Sequence, residues 1–179
     1  MIFGYERNCF DKNNITDIVN QDFLDLCIKN IFKNKYVFKK NWKSSVDILN
    51  TDNLIDFSTD KNFIEFNKSK TVELLLPRVQ KIFKNKNITA SGHFLYPKTG
   101  YMSWHTNYLN PCWRFYITYA TKDKQSFFRY LNPITKQIVT DYDDKGITLR
   151  KFYVPSKPPY FWHCVGSMCN RFSFGFRIP

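Results

Sequence analysis

Three histidines, His93, His105 and His163, are the chain's only imidazoles, and all lie in its second half. His105 sits in the run YMSWHTN, two residues before Asn107. On a β-strand, residues i and i+2 point to one face, so His105 and Asn107 can present a nitrogen and an oxygen to a common point. His163, in FWHCV, lies far along the chain, but an antiparallel barrel can bring it alongside. Two imidazoles and one oxygen on one side of a metal ion would leave its other positions open, the facial arrangement of non-haem Fe(II) sites. The plainer alternative is a pair of core-edge histidines hydrogen-bonded to backbone groups.

The C-terminal run RFSFGFRI adds a candidate anion clamp. Arg171, Ser173, Gly175 and Arg177 share one parity, and Phe172, Phe174, Phe176 and Ile178 the other. The phenylalanine face is expected to pack against a helix, and the Arg171/Ser173 face to look into the barrel. A guanidinium in an apolar cavity needs an anion, because an unpaired buried charge is too costly. A carboxylate fits it bidentately, and the Ser173 hydroxyl adds a hydrogen bond. In WRFYITYA, Arg114, Tyr116 and Thr118 alternate with Trp113, Phe115, Ile117 and Tyr119, so the polar set can line the same cavity. Arg114 and Arg177 are candidate substrate or anion contacts, with ordinary ion pairs or solvent as the alternative. Tyr96 is a candidate hydrogen-bond donor in the cavity or simply one of eleven packed tyrosines. His93 is read as structural or as supporting the site. Trp104 and Trp162, each preceding a candidate ligand, should brace the ligand strands from behind.

These side chains need a β-rich scaffold, and the pattern after Asn87 supplies one. Short aromatic and β-branched runs, separated by Pro, Gly, Asn and Asp, predict strands over 88–96, 101–106, 113–120, 126–131, 136–140, 147–154, 160–165 and 171–178. That is the signature of a jelly-roll or cupin-like barrel, a mainly β fold with flanking α-helices. In the first half, Asp22 to Phe32 reads as a helix. So do residues 70–84, where Val72, Leu75, Leu76, Val79, Ile82 and Phe83 recur at helical spacing and Pro77 should kink or delay the start. Residues 47–66 could supply one or two strands. Residues 33–43, KNKYVFKKNWK, form a basic stretch with interleaved aromatics, read chiefly as a solvated surface. The expectation is one domain over 1–179, with 1–87 as a mixed support region and 88–179 as the jelly-roll core.

Composition narrows the function classes. A chain of 179 residues with 43% hydrophobic and 18% aromatic content is globular, not disordered. No apolar run is long enough to span a membrane, and the N-terminus lacks a signal-peptide pattern, so an intracellular, cytoplasmic setting is expected. Five cysteines without a CxxC pair suit free thiols, and Cys164 and Cys169 alone make a poor zinc site. The net charge is +12, but 20 of the 27 bases are Lys and 17 residues are Asn, a bias expected of AT-rich coding. The distribution says more: residues 91–179 carry 12 bases and 4 acids, favouring an anionic ligand or substrate.

In order and spacing, His105-Thr106-Asn107, His163 and Arg171-Phe172-Ser173 resemble the 2-oxoglutarate/Fe(II)-dependent oxygenases. That family has a double-stranded β-helix, an H-x-D/E … H iron motif and a later R-x-S motif. The approach run LYPKTGYMSWHTN is similar to the family's tyrosine–glycine segment before its first iron ligand. The resemblance implies that His105, Asn107 and His163 hold Fe(II). It implies that Arg171 and Ser173, with Tyr96, hold 2-oxoglutarate, whose decarboxylation drives oxidation of a substrate by a hydroxylase or demethylase. Asn107 departs from the family's carboxylate. The departure leaves weak iron binding, a halide or water position, a substitute acid from Asp123, Asp141, Asp143 or Asp144, or an inactive jelly-roll module that binds an acidic ligand. A basic nucleic-acid-binding protein with incidental histidines is the other alternative. The substrate is expected to be anionic: a protein side chain, a nucleic acid or a phosphorylated metabolite.

Overall fold

The computed structural model describes residues 4–29, 46–47, 61–65 and 68–179. The basic stretch 33–43, most of 47–66 and the last residues of the helix expected over 22–32 lie outside the described residues. Two helices expected from periodicity are present: α2, Gln21–Lys29, and α3, Lys68–Phe83, which runs through Pro77. Asn20 caps α2, its side-chain oxygen accepting from the Phe23 N–H at 3.0 Å. A short α1, Asn13–Thr16, precedes them. Among the described residues no helix is long and apolar enough to cross a membrane.

Eight strands follow α3 and form two antiparallel four-stranded layers. They are β4 (Thr89–Tyr96), β5 (Tyr101–His105), β6 (Cys112–Ala120), β7 (Ser126–Leu131), β8 (Ile138–Tyr142), β9 (Gly146–Val154), β10 (His163–Ser167) and β11 (Arg171–Ile178). One layer has the order β9-β6-β11-β4 and the other β5-β10-β7-β8, so the chain changes layer at nearly every connection. Such alternation closes a jelly roll. Three short strands extend its edges: β1 (Tyr5–Arg7) joins β9, β2 (Lys61–Asn62) joins β5, and β3 (Ile64–Glu65) joins β4.

The alternating pattern of β11 decides what each layer faces. Phe172, Phe174 and Phe176 join Phe115, Ile117, Leu75, Val79, Phe23 and Leu24 in the outer core, under α2 and α3. Arg171, Ser173, Gly175 and Arg177 lie opposite Ala120, Thr118, Tyr116 and Arg114 of β6, and directly paired residues share a face, here the barrel interior. Behind the other layer, Tyr101, Trp104, Phe127, Trp162, Cys164 and Val46 form a third cluster. Trp104 donates to the Val46 carbonyl at 3.1 Å. The two tryptophans brace the histidine strands from outside, as their parity requires.

A candidate metal centre above an arginine-lined cavity

β5 ends at His105, and β10 begins at His163 directly across from it. Their ring centroids lie 4.1 Å apart. Each Nδ1 is tied to a backbone carbonyl two residues earlier, His105 to Ser103 at 2.8 Å and His163 to Phe161 at 3.0 Å. An Nδ1–H donating to a carbonyl fixes the tautomer, leaving Nε2 as the electron-pair donor on each ring. Both imidazoles are buried. Burial, the neighbouring His105 and Arg114 hold His163 well below the ordinary histidine value, so it is neutral at physiological pH. Phe128, Phe152 and Phe161 pack around its ring at 5.3–5.5 Å and fix its plane.

Asn107 reaches the same point by a route the strand argument did not foresee. It lies beyond the end of β5 and takes a left-handed backbone, φ +56°. Asn tolerates that conformation better than most residues. Its Nδ2 is 3.3 Å from His163 Nε2, and a half-turn of the amide would present Oδ1 there instead. Among the described residues, no group of three His, Cys, Asp or Glu could hold a metal ion. The available donor set is therefore two imidazoles and one amide, which fits a divalent metal with several positions left to other ligands.

Beneath the imidazoles lies a cavity of about 140 Å³. Its lining includes His105, Asn107, His163, Tyr96, Ser173, Tyr116, Arg114 and Arg177, and among the described residues no carboxylate. Two β-bulges shape it. Between β10 and β5 the register slips, so Met102 and His105, three residues apart, both line the cavity. Between β11 and β4 the slip lets Ser91 and Gly92 both face it. Bulges re-aim side chains in this way near functional sites. Gly175 sits opposite the second bulge, where a Cβ would lie 2.6 Å from Ser91 Oγ and 2.9 Å from the Tyr116 ring. Burial pushes the Tyr96 phenol up, against the opposing pull of Arg171, so Tyr96 is a neutral hydroxyl donor.

Arg171 is buried on the interior face, but it does not line the cavity. Its Nε donates to Asp143 Oδ2 at 2.9 Å and its Nη2 to Thr118 Oγ1 at 3.2 Å, while Nη1 has no hydrogen-bond partner. The guanidinium expected to require an outside anion thus already has an internal one. Asp143 was only a candidate substitute for an iron ligand. Its carboxylate also accepts from Arg150 at 2.5 Å and from Ser126 at 2.5 Å. Burial would raise the Asp143 carboxyl, but Arg150 and Arg171 overcome it and hold the group far below the usual range. Asp141 joins this cluster through Arg150, Arg7 and Tyr5. Asp141 and Asp143 together offset the charge of Arg150 and Arg171.

His93 is not at the site. It is hydrogen-bonded to Thr71 of α3 at 2.7 Å and meets Phe174 and Phe176 edge-on, on the helix-facing side of β4. This agrees with the structural reading of His93 and leaves it outside the cavity lining, away from any substrate. Arg129 pairs with Asp47, and Arg150 with Asp141 and Asp143, so both are structural cations. Asn110, which accepts from Arg114, and the Asp143 cluster escaped sequence reasoning. The scarcity of acids in the second half was the signal that each one there has a specific partner.

The sequence matches no protein-family model and no curated protein sequence. Among solved structures, a prolyl hydroxylase from Trichoplax adhaerens, in complex with a hypoxia inducible factor oxygen degradation domain peptide fragment, superimposes with a TM-score of 0.54. The match covers 98% of this chain and 82% of that one at 12% identity. The fold is a double-stranded β-helix. At that identity the likeness speaks for the architecture alone, and the site must be argued from its own residues.

Proposed function

We propose that this double-stranded β-helix is an Fe(II)- and 2-oxoglutarate-dependent oxygenase, a hydroxylase or demethylase. The observation that carries the reading is the pair of buried, tautomer-fixed imidazoles converging on a cavity that also holds Arg114 and Arg177. His105 and His163 would hold the iron through Nε2, and Asn107 through its amide oxygen. When bound, iron and 2-oxoglutarate supply the oxidising chemistry through decarboxylation of the cosubstrate. The protein's part is to bind, orient and exclude water. Phe128, Phe152 and Phe161 keep the His163 imidazole dry and neutral. Tyr96 and Ser173 offer hydroxyls in the cavity for the far carboxylate of 2-oxoglutarate, while Arg171, outside the cavity lining and paired with Asp143, sits against the Tyr96 ring. The cavity volume is close to the ~150 Å³ of an apolar cavity that accommodates benzene, a scale suited to a small dicarboxylate.

Asn107 sets how the iron is held. A carboxylate would cancel one charge of the dication, whereas three neutral ligands cancel none. Binding of the dianionic cosubstrate then contributes more to holding the metal than it would beside an aspartate. Oxygen-dependent conversion of 2-oxoglutarate to succinate, measured without added substrate and then with candidate acids, tests the reading. Succinate formation that requires Fe(II) and is lost in H163A is expected. Metal-loaded protein that binds 2-oxoglutarate but never forms succinate would replace this reading with an inactive jelly-roll binder of acidic ligands, which the missing carboxylate at position 107 favours.

A further inference from the structure

The mouth of the cavity holds two guanidiniums that the proposed iron and cosubstrate do not use. Arg114 of β6 and Arg177 of β11 are direct cross-strand partners and line the same cavity. Like charges placed directly opposite each other on a sheet are destabilising. Arg114 is only 3% exposed, its Nη2 donates to the Asn110 carbonyl at 2.9 Å, and its buried Nε has no hydrogen-bond partner. Among the described residues neither arginine forms an ion pair, although every buried arginine at the other end of the barrel does. Among the described residues no carboxylate offsets the pair. A compact oxyanion between them would satisfy the orphan Nε and relieve the repulsion.

The neighbouring surface says what the rest of the ligand is. A second, more open pocket of about 410 Å³ shares Asn110 and Arg177 with the cavity. Leu109, Pro111, Cys112 and Pro179 give it an apolar wall. A ligand whose oxyanion sits on Arg114 and Arg177 therefore has a place for an apolar body beside it and an approach to His105 and His163 within the cavity.

We propose that Arg114 and Arg177 form the substrate clamp, and that the substrate is a small acid, a carboxylate or phosphate monoester, with an apolar body. This deepens the oxygenase reading and rests on it for the word substrate; the anion site itself stands on its own geometry. The test is calorimetric titration of the metal-free full chain with benzoate and with phenyl phosphate, which separates the two oxyanions. Wild-type protein should bind at least one of them. R177A, at an exposed position that folding does not need, should weaken that binding about tenfold, and R114K, which keeps the charge but loses the planar fork, by a similar factor. S173A should leave probe binding within twofold while weakening 2-oxoglutarate binding to the Mn(II)-loaded protein. Absence of binding to both probes, or equal affinity in wild type and R177A, would overturn the clamp. Arg177-dependent probe binding without any succinate formation would keep the clamp and discard the oxygenase.

Discussion

The two ends of the barrel treat positive charge in opposite ways. At the closed end, Arg150 and Arg171 share Asp143, Ser126 and Thr118 add hydrogen bonds, and Asp141 takes further contacts of Arg150. At the open end, Arg114 and Arg177 face each other beside two imidazoles, with no carboxylate among the described residues that line the space. Of the buried arginines, Arg150 and Arg171 are paired with carboxylates at one end of the barrel, whereas Arg114 at the other end forms no ion pair among the described residues. The closed end is structural, holding β1, β7, β8, β9 and β11 together. The open end is where chemistry has room.

The largest effect should follow from removing the shared anion of the closed end. D143A leaves two buried guanidiniums without their common partner and should cost about 3–5 kcal/mol, read from denaturant unfolding. R114M at the open end removes a buried charge that has no counter-ion, and should change stability by less than about 1 kcal/mol or raise it. Equal losses in the two variants would erase the distinction between the ends.

Next in size is the metal. H163A should lower Mn(II) affinity by more than ~100-fold, beyond what loss of a supporting contact costs, while the fold survives. Retained affinity would show that the imidazoles are packed side chains and not ligands. N107D should tighten Mn(II) binding about tenfold by adding a carboxylate to a neutral donor set. An unchanged constant would place residue 107 outside the coordination sphere.

The smallest effect is the acid limb of stability. Asp143 is held below its unfolded value, near 3.9, so its contribution is complete above about pH 4 and fades as pH falls toward the folded value. Wild-type stability should decline below pH 4 more steeply than that of D143N. Parallel acid limbs would mean that the cluster does not carry this charge linkage.

Much of this contrast was legible in the sequence, because period-two alternation is a local signal. The local patterning of aromatic and β-branched runs between turn residues located all eight barrel strands, with Ser126–Leu131 and Arg171–Ile178 matching to the residue. Alternation also gave the inward face of β6 and the outward position of Trp104 and Trp162. Alternation fails where the register slips. The bulge before His105 and the left-handed turn at Asn107 bring side chains together at offsets that a regular strand forbids. His93 and His105 looked alike as residues, and only the parity of β4 sent one to the helix core. The partner of Arg171 was illegible for another reason. Asp143 meets it from 28 residues away through a loop, and pairing across a barrel is set by topology rather than by any local pattern.

The central claim is that His105 and His163 place a metal where a 2-oxo acid can also bind it. Anaerobic addition of Fe(II) and then 2-oxoglutarate, followed by visible absorption, tests this most directly. A new charge-transfer band that needs both components, and that H105A and H163A abolish, is the predicted result. A metal-loaded wild-type protein whose spectrum does not change on adding 2-oxoglutarate would contradict the account.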